Sequence, residues 1–146
     1  MKYKITIEVI PNQLHYKSLR QKVSSEEWNK IKQEIFKKER YKCWICGSIE
    51  KPLEAHEFFD YNEKKGIQKL IAIHHLCKPC HHIKHFGFSN ISLNEKEIER
   101  LRNHFCKVNC CSINDFKKHE KQVFNIWNKR NKIGWKQDFS IFLKTT

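Results

Sequence analysis

The sequence predicts one α+β domain assembled around a metal-binding core. Three observations point there: two Cys-x-x-Cys pairs at Cys43–Cys46 and Cys77–Cys80, strand-like segments between the pairs, and amphipathic helix patterns on either side. A chain of 146 residues is long enough for one domain with a real core and too short for two ordinary ones. The expected division is an N-terminal strand and helix over 1–42, a zinc core over 43–88 and a C-terminal helical extension over 89–146.

Taken in order, Tyr3, Ile5, Ile7 and Val9 alternate with Lys4, Thr6 and Glu8, a period of two that predicts a half-buried strand ended by Pro11. Asn12 to Lys22 reads as irregular, with Leu14, Tyr16 and Leu19 inward. Ser24 followed by Glu27 resembles a capping box. The helix it starts should run to about Arg40, burying Trp28, Ile31, Ile35 and Phe36. Gly47 suits the tight turn of a metal knuckle after Cys46. Leu53 to Phe59 has strand composition, Tyr61 to Gly66 is turn-like, and Ile67 to Leu76 is an apolar run leading into the second cysteine pair. A short helix is expected over Cys77 to His85, with Gly87 near its end. Asn94 with Glu97 starts another helix that buries Ile98, Leu101 and Phe105. A last helix should span about Asn114 to Lys129, and Trp135, Phe139, Ile141 and Phe142 should pack back onto the core.

Charge narrows the class of partner. The formal net charge is +13, from 29 Lys+Arg against 16 Asp+Glu. Such an excess is an electrostatic argument for a polyanion, DNA first and RNA second. The seven cysteines are odd in number and include two metal-spaced pairs, and no secretory h-region or membrane-length apolar run occurs. A reducing, cytoplasmic location with metal-bound thiolates is therefore expected, with no membrane partner.

Cys43, Cys46, Cys77 and Cys80 supply four thiolates at the spacing of a tetrahedral Zn²⁺ site, closed to substrate and hence structural. Cys106, Cys110 and Cys111 lack a matching pattern and read as core thiols. His56 and His81 each lie a short step from a zinc-bound region and would be held rigidly by it. A divalent cation there, open to water, suits phosphodiester cleavage, with a nearby base drawing a proton from the attacking water. Glu57 and His85 adjoin these two histidines. Lys64, Lys65, Lys78, His82 and Lys84 surround the region as phosphate contacts, which position a duplex without reading its sequence.

The combined pattern, Cys-x-x-Cys, then Leu53-Glu54-Ala55-His56-Glu57, then Leu76-Cys77-x-x-Cys80-His81-x-x-Lys84-His85, resembles the HNH endonuclease family. The likeness covers Cys43 to His85; the flanks from Ile10 to Gly47 and Lys107 to Trp127 are similar to small stand-alone bacterial and phage members. It implies a ββα-metal, treble-clef-like core, a structural zinc on the four cysteines and a catalytic Mg²⁺, Mn²⁺ or similar cation. It implies His56 and His81 as ligands of that cation and His85 as a further ligand or phosphate contact. The activity implied is hydrolysis of DNA to a 5′ phosphate and a 3′ hydroxyl, with a homodimer needed to cut both strands in one encounter. Two positions depart from the family pattern. Glu57 stands where the general-base histidine is usual, and Ala72 stands where the middle Asn is usual. Glu57 is then the expected base, with His56, His74 or His75 as substitutes. The rival readings are a zinc-stabilised nucleic-acid-binding module without activity and a zinc-stabilised interaction protein whose basic surface meets an acidic partner.

Overall fold

The computed structural model describes residues 3–143. Its centre is an antiparallel hairpin, β1 (Glu54–Asn62) and β2 (Ile67–Leu76). The polar Glu63-Lys64-Lys65 stretch and Gly66 turn the chain between the strands. Gly66 has φ of 66°, and a Cβ there would fall 2.4 Å from the Gly134 carbonyl, so no other residue fits without displacing that loop. The close approach lets β3 (Lys136–Asp138) join β2 in parallel, giving a three-stranded sheet in the order β1-β2-β3. The sequence predicts no strand at this position, because Lys136-Gln137-Asp138 lacks apolar alternation.

Register decides what each face of the hairpin presents. His56 pairs with His74 and Glu57 with Ile73, so alternate residues face opposite ways. A bulge between Phe58 and Phe59 shifts the pairing from Ala72 to Leu70. It leaves Ile71 unpaired and 48% exposed, against its apolar character.

Helix α1 (Ser25–Lys38) begins where expected, with the Ser24 hydroxyl accepting from the Glu27 amide. It stops two residues early. Arg40 and Tyr41 both take positive φ, 57° and 56°, and swing the chain into the cysteine knuckle. The knuckle closes through Gly47 N–H to the Cys43 carbonyl, and Gly47 has φ of 76°. Helix α2 (Lys78–Lys84) follows β2 directly, with Pro79 in its first turn. A further helix, α3 (Phe86–Ser92), continues beyond it through Gly87, where the sequence predicted an end. Asn94 caps α4 (Glu95–Asn109), and a Ser112–Asp115 capping box starts α5 (Ile113–Arg130).

The N-terminal segment is corrected by the structure. Ile5 and Ile7 are buried as the alternation predicts, but residues 3–10 form no strand. Their backbone groups are satisfied by side chains and one helix carbonyl. Asn109 accepts from the Lys4 and Ile5 amides and donates to the Ile5 carbonyl; His119 accepts from Ile7, and Glu8 N–H donates to the Lys84 carbonyl. An extended segment can therefore be apolar on one side without a sheet edge to join.

Two apolar clusters hold the elements. The larger joins Ile5, Leu76, Ile83, Phe86, Leu101, Phe105 and Phe116; the smaller joins Leu19, Trp28, Leu70, Ile73 and Phe139 on the Glu57 side of the hairpin. Trp135 is buried, but Tyr16 and Ile141 are 88% and 56% exposed, contrary to expectation. Tyr16 sits at positive φ in a turn, which directs its ring outward. Among the described residues no helix is long and apolar enough to cross a membrane.

Candidate metal centre

The knuckle and the start of α2 bring the sulfurs of Cys43, Cys46, Cys77 and Cys80 within 4.8 Å of one another. Cys46 Sγ and Cys77 Sγ are 3.6 Å apart. Four sulfurs at about 2.3 Å from a tetrahedral zinc stand about 3.8 Å apart, so the set fits such an ion. Hydrogen bonds from Cys77 and Cys80 hold the Cys43 thiol far below its ordinary pKa. The same hydrogen bonds to Cys43, with burial and the Cys43 charge adding to them, push Cys77 up to about 12 and Cys80 higher still. A cation relieves that mutual repulsion. His104 lies 3.2 Å from Cys80 Sγ through Nε2, a contact that holds the sulfur in place; its distance along the chain hid it from the sequence.

A second group stands beside the first. His56 from β1, His81 from α2 and His85 at the C-cap of α2 offer ring nitrogens within 4.8 Å of one another. His81 lies within α2 and His85 caps its C-terminus, its N–H donating to the His81 carbonyl, so residues four apart still share one face. The β1–β2 hairpin feeding directly into α2 sets them against His56. Their rings meet edge to face, with centroids 5.3 Å apart for His56–His81, 4.8 Å for His56–His85 and 4.8 Å for His81–His85.

Carboxylates orient two of the three. Glu8 Oε2 lies 2.6 Å from His56 Nε2, and Glu54 Oε2 lies 2.8 Å from His81 Nδ1. Each leaves the opposite ring nitrogen for a cation, the carboxylate–histidine arrangement common around bound metals. Burial, reinforced by the neighbouring histidines, lowers the pKa of His81 and brings His85 to about 4. Both are then neutral at pH 7 with a lone pair free. Burial would raise the Glu8 carboxyl, but the His56 hydrogen bond and nearby positive charge outweigh it and leave it below the usual range. Its Oε1 is buried without a hydrogen-bond partner among the described residues. The sequence assigns no role to either carboxylate: Glu8 lies outside the motif, and Glu54 lies within it but meets His81 across 27 residues, which spacing alone does not reveal.

Glu57 is not brought to this group. Neighbouring strand residues face opposite ways, and Glu57 points beneath the 3₁₀ turn Leu19–Gln21. Its Oε1 accepts from Leu19 N–H at 2.7 Å and its Oε2 from Arg20 N–H at 3.3 Å. Burial raises its pKa despite those two bonds. The expectation that Glu57 acts as base is corrected accordingly.

His74 is on the His56 side of the hairpin. Its Nδ1 is bonded to Glu39 Oε2, and its ring lies flat on Trp44, 3.9 Å between centroids and 2° between planes. Phe58 bridges the two histidines, edge-on at 5.1 Å to each. Glu39 also accepts from the His75 amide, so the early end of α1 delivers one carboxylate to both residues. The His75 ring itself is buried on the other face against Phe36.

The basic residues separate into groups. Lys78 is exposed on α2 and His82 is half-buried beside it. Lys64 and Lys65 are exposed at the hairpin tip, the far end of the strands from His56. Lys84 is drawn inward instead: its Nζ donates to the Thr6 hydroxyl and lies 5.2 Å from the Phe58 ring centroid, and burial lowers its pKa. It braces the N-terminal arm rather than facing outward as a phosphate contact.

The structure thus has a mixed α+β fold in which one four-cysteine group could hold a metal such as zinc and one three-histidine group could hold a second cation. Comparison of the chain with protein-family models, with curated proteins and with solved structures finds no match.

Proposed function

We propose that this chain is a metal-dependent endonuclease of the HNH type, hydrolysing DNA phosphodiesters beside a structural zinc. The observation that carries this reading is the three-histidine group, mounted on a hairpin and the helix that follows it, with carboxylates behind His56 and His81. The strand-strand-helix order, with ligands from the first strand and the helix, supports a ββα-metal core. The net charge of +13 supports a polyanionic substrate.

A divalent cation on His56, His81 and His85 would neutralise charge on the phosphate and stabilise the leaving oxygen. An all-imidazole donor set favours a borderline transition cation such as Zn²⁺ or Ni²⁺, with Mn²⁺ weaker, over Mg²⁺, which prefers oxygen ligands. His74 takes the base role that Glu57 cannot. Glu39 on Nδ1 leaves Nε2 to accept a proton from the attacking water, and Trp44 stacking fixes the plane of the ring. His74→Ala should then lower single-turnover cleavage by about 10²–10⁴-fold with little change in DNA affinity. Equal cleavage by His74→Ala and the parent would remove His74 from the mechanism.

A zinc-stabilised DNA-binding module without activity is the second reading. It is favoured by Glu57, which stands at the motif's base position yet is engaged by the Leu19 and Arg20 amides. In that case binding should fall log-linearly with salt and no cation should support cleavage.

A further inference from the structure

Helix α4 ends in a left-handed turn, with Cys110 at φ 51° and ψ 51°. Cys111 N–H donates to the Cys106 carbonyl at 3.0 Å, and Cys110 N–H to the Lys107 carbonyl at 3.4 Å. These two bonds define a Schellman close, in which the side chains at the Cys106 and Cys111 positions meet, usually as an apolar pair. Here both are thiols, half-buried against the main core. Burial, together with the neighbouring Cys106 thiol, pushes Cys111 up to about 11. Cys110 is exposed, and its sulfur is turned toward the Lys107 carbonyl at 3.9 Å.

We propose that Cys106 and Cys111 form a reversible intramolecular disulfide, a thiol-modification site separate from the four-cysteine group. The oxidant is a small-molecule disulfide such as oxidised glutathione. One cysteine thiolate attacks a sulfur of the reagent, forming a mixed disulfide and releasing one reduced thiol. The second cysteine, as thiolate, displaces the other reduced thiol and closes the ring. Two electrons and two protons leave the protein, and one disulfide reagent becomes two thiols. The helix-closing hydrogen bonds hold the two residues together in advance, so little backbone ordering remains to be done.

The location gives the bond a consequence. Asn109, inside the six-residue loop that the disulfide would close, holds the Lys4 and Ile5 backbone, and His119 from α5 holds Ile7. The next residue is Glu8, which orients His56. A covalent bond at the corner braces the arm that carries Glu8.

The test uses the full zinc-loaded chain in buffers of graded reduced and oxidised glutathione, followed by alkylation, intact mass and peptide mapping. The parent and Cys110→Ser should each lose two hydrogen masses and yield a peptide linking residues 106 and 111, with zinc retained. Cys106→Ser and Cys111→Ser should yield no such peptide. Amide exchange at Ile5 should slow several-fold on oxidation. A stable glutathione adduct on Cys110 with no internal link would overturn the proposal, as would a link to Cys43, Cys46, Cys77 or Cys80.

Discussion

Glu8 and His56, 48 residues apart in sequence, meet through a 2.6 Å contact between Oε2 and Nε2. The contact engages Nε2 of His56 and leaves Nδ1 as the nitrogen open to a cation. It also explains why an extended, strandless arm is tied down so thoroughly by Asn109, His119 and Lys84. Removing an orienting carboxylate behind a ligand histidine typically costs 10–100-fold in metal affinity. Glu8→Ala should therefore weaken cation binding at the histidine group by about 10–100-fold while the four-cysteine zinc stays bound. Calorimetric titration of zinc-replete protein with Mn²⁺ or Ni²⁺ measures it, and unchanged affinity would detach Glu8 from the site.

Glu57 should behave as a structural residue. Glu57→Ala leaves the Leu19 and Arg20 amides without their acceptor, a loss of about 1–3 kcal/mol in urea unfolding. Cation affinity at the histidine group should be unaffected. A variant of normal stability that no longer cleaves DNA would instead return Glu57 to the chemistry.

The histidine group should also have a characteristic pH response. Histidines with an ordinary pKa near 6.5 lose cations to proton competition as pH falls through that value. Burial first, then neighbouring histidines, lowers His81 and brings His85 to about 4. A lowered pKa means the neutral, ligating form persists to lower pH, so those two ligands remain available below pH 6.5 and His85 is lost only as pH approaches about 4. Because the unfolded chain takes up the His85 proton first, stability of the cation-free histidine group also falls with pH between 6.5 and about 4. Urea midpoints of the zinc-replete parent and His85→Gln across this range should converge as the pH is lowered. Parallel curves would contradict the burial assigned to His85.

Structural zinc in small domains contributes about 10–16 kcal/mol of apparent binding free energy, which is folding free energy when the site is absent from the unfolded chain. Cys43→Ser should lose the metal and the cooperative thermal transition together, because Cys43 joins the knuckle to Leu76, Cys77 and Ile83 in the main core. Metal content by atomic emission beside calorimetric melting tests this. A variant that melts cooperatively without zinc would show that the apolar core suffices.

Local signals account for what the sequence disclosed. The cysteine spacings, the Ser24 and Asn94 caps and the strand composition of Leu53 to Phe59 each depend on residues within a few positions of one another. His56, His81 and His85 were legible because the knuckle, hairpin and helix lie in a single short stretch. Glu8, Glu39 and His104 were not, since each reaches its partner across 24 to 48 residues through tertiary packing alone. The face of Glu57 was hidden for a related reason. Adjacent strand residues alternate, but only the Leu19–Gln21 turn reveals which side has amides to cap.

Metal-dependent cleavage at the histidine group is read by incubating the zinc-replete parent with supercoiled plasmid and Mn²⁺, Ni²⁺ or Mg²⁺, beside His56→Ala, His81→Ala and His85→Ala. The parent should nick the plasmid, faster with Mn²⁺ or Ni²⁺ than with Mg²⁺, and each variant should fall by at least about 10²-fold while keeping its zinc and its melting transition. No cleavage by the parent with any of the three cations, alongside salt-sensitive DNA binding, would contradict the nuclease and leave the binding module.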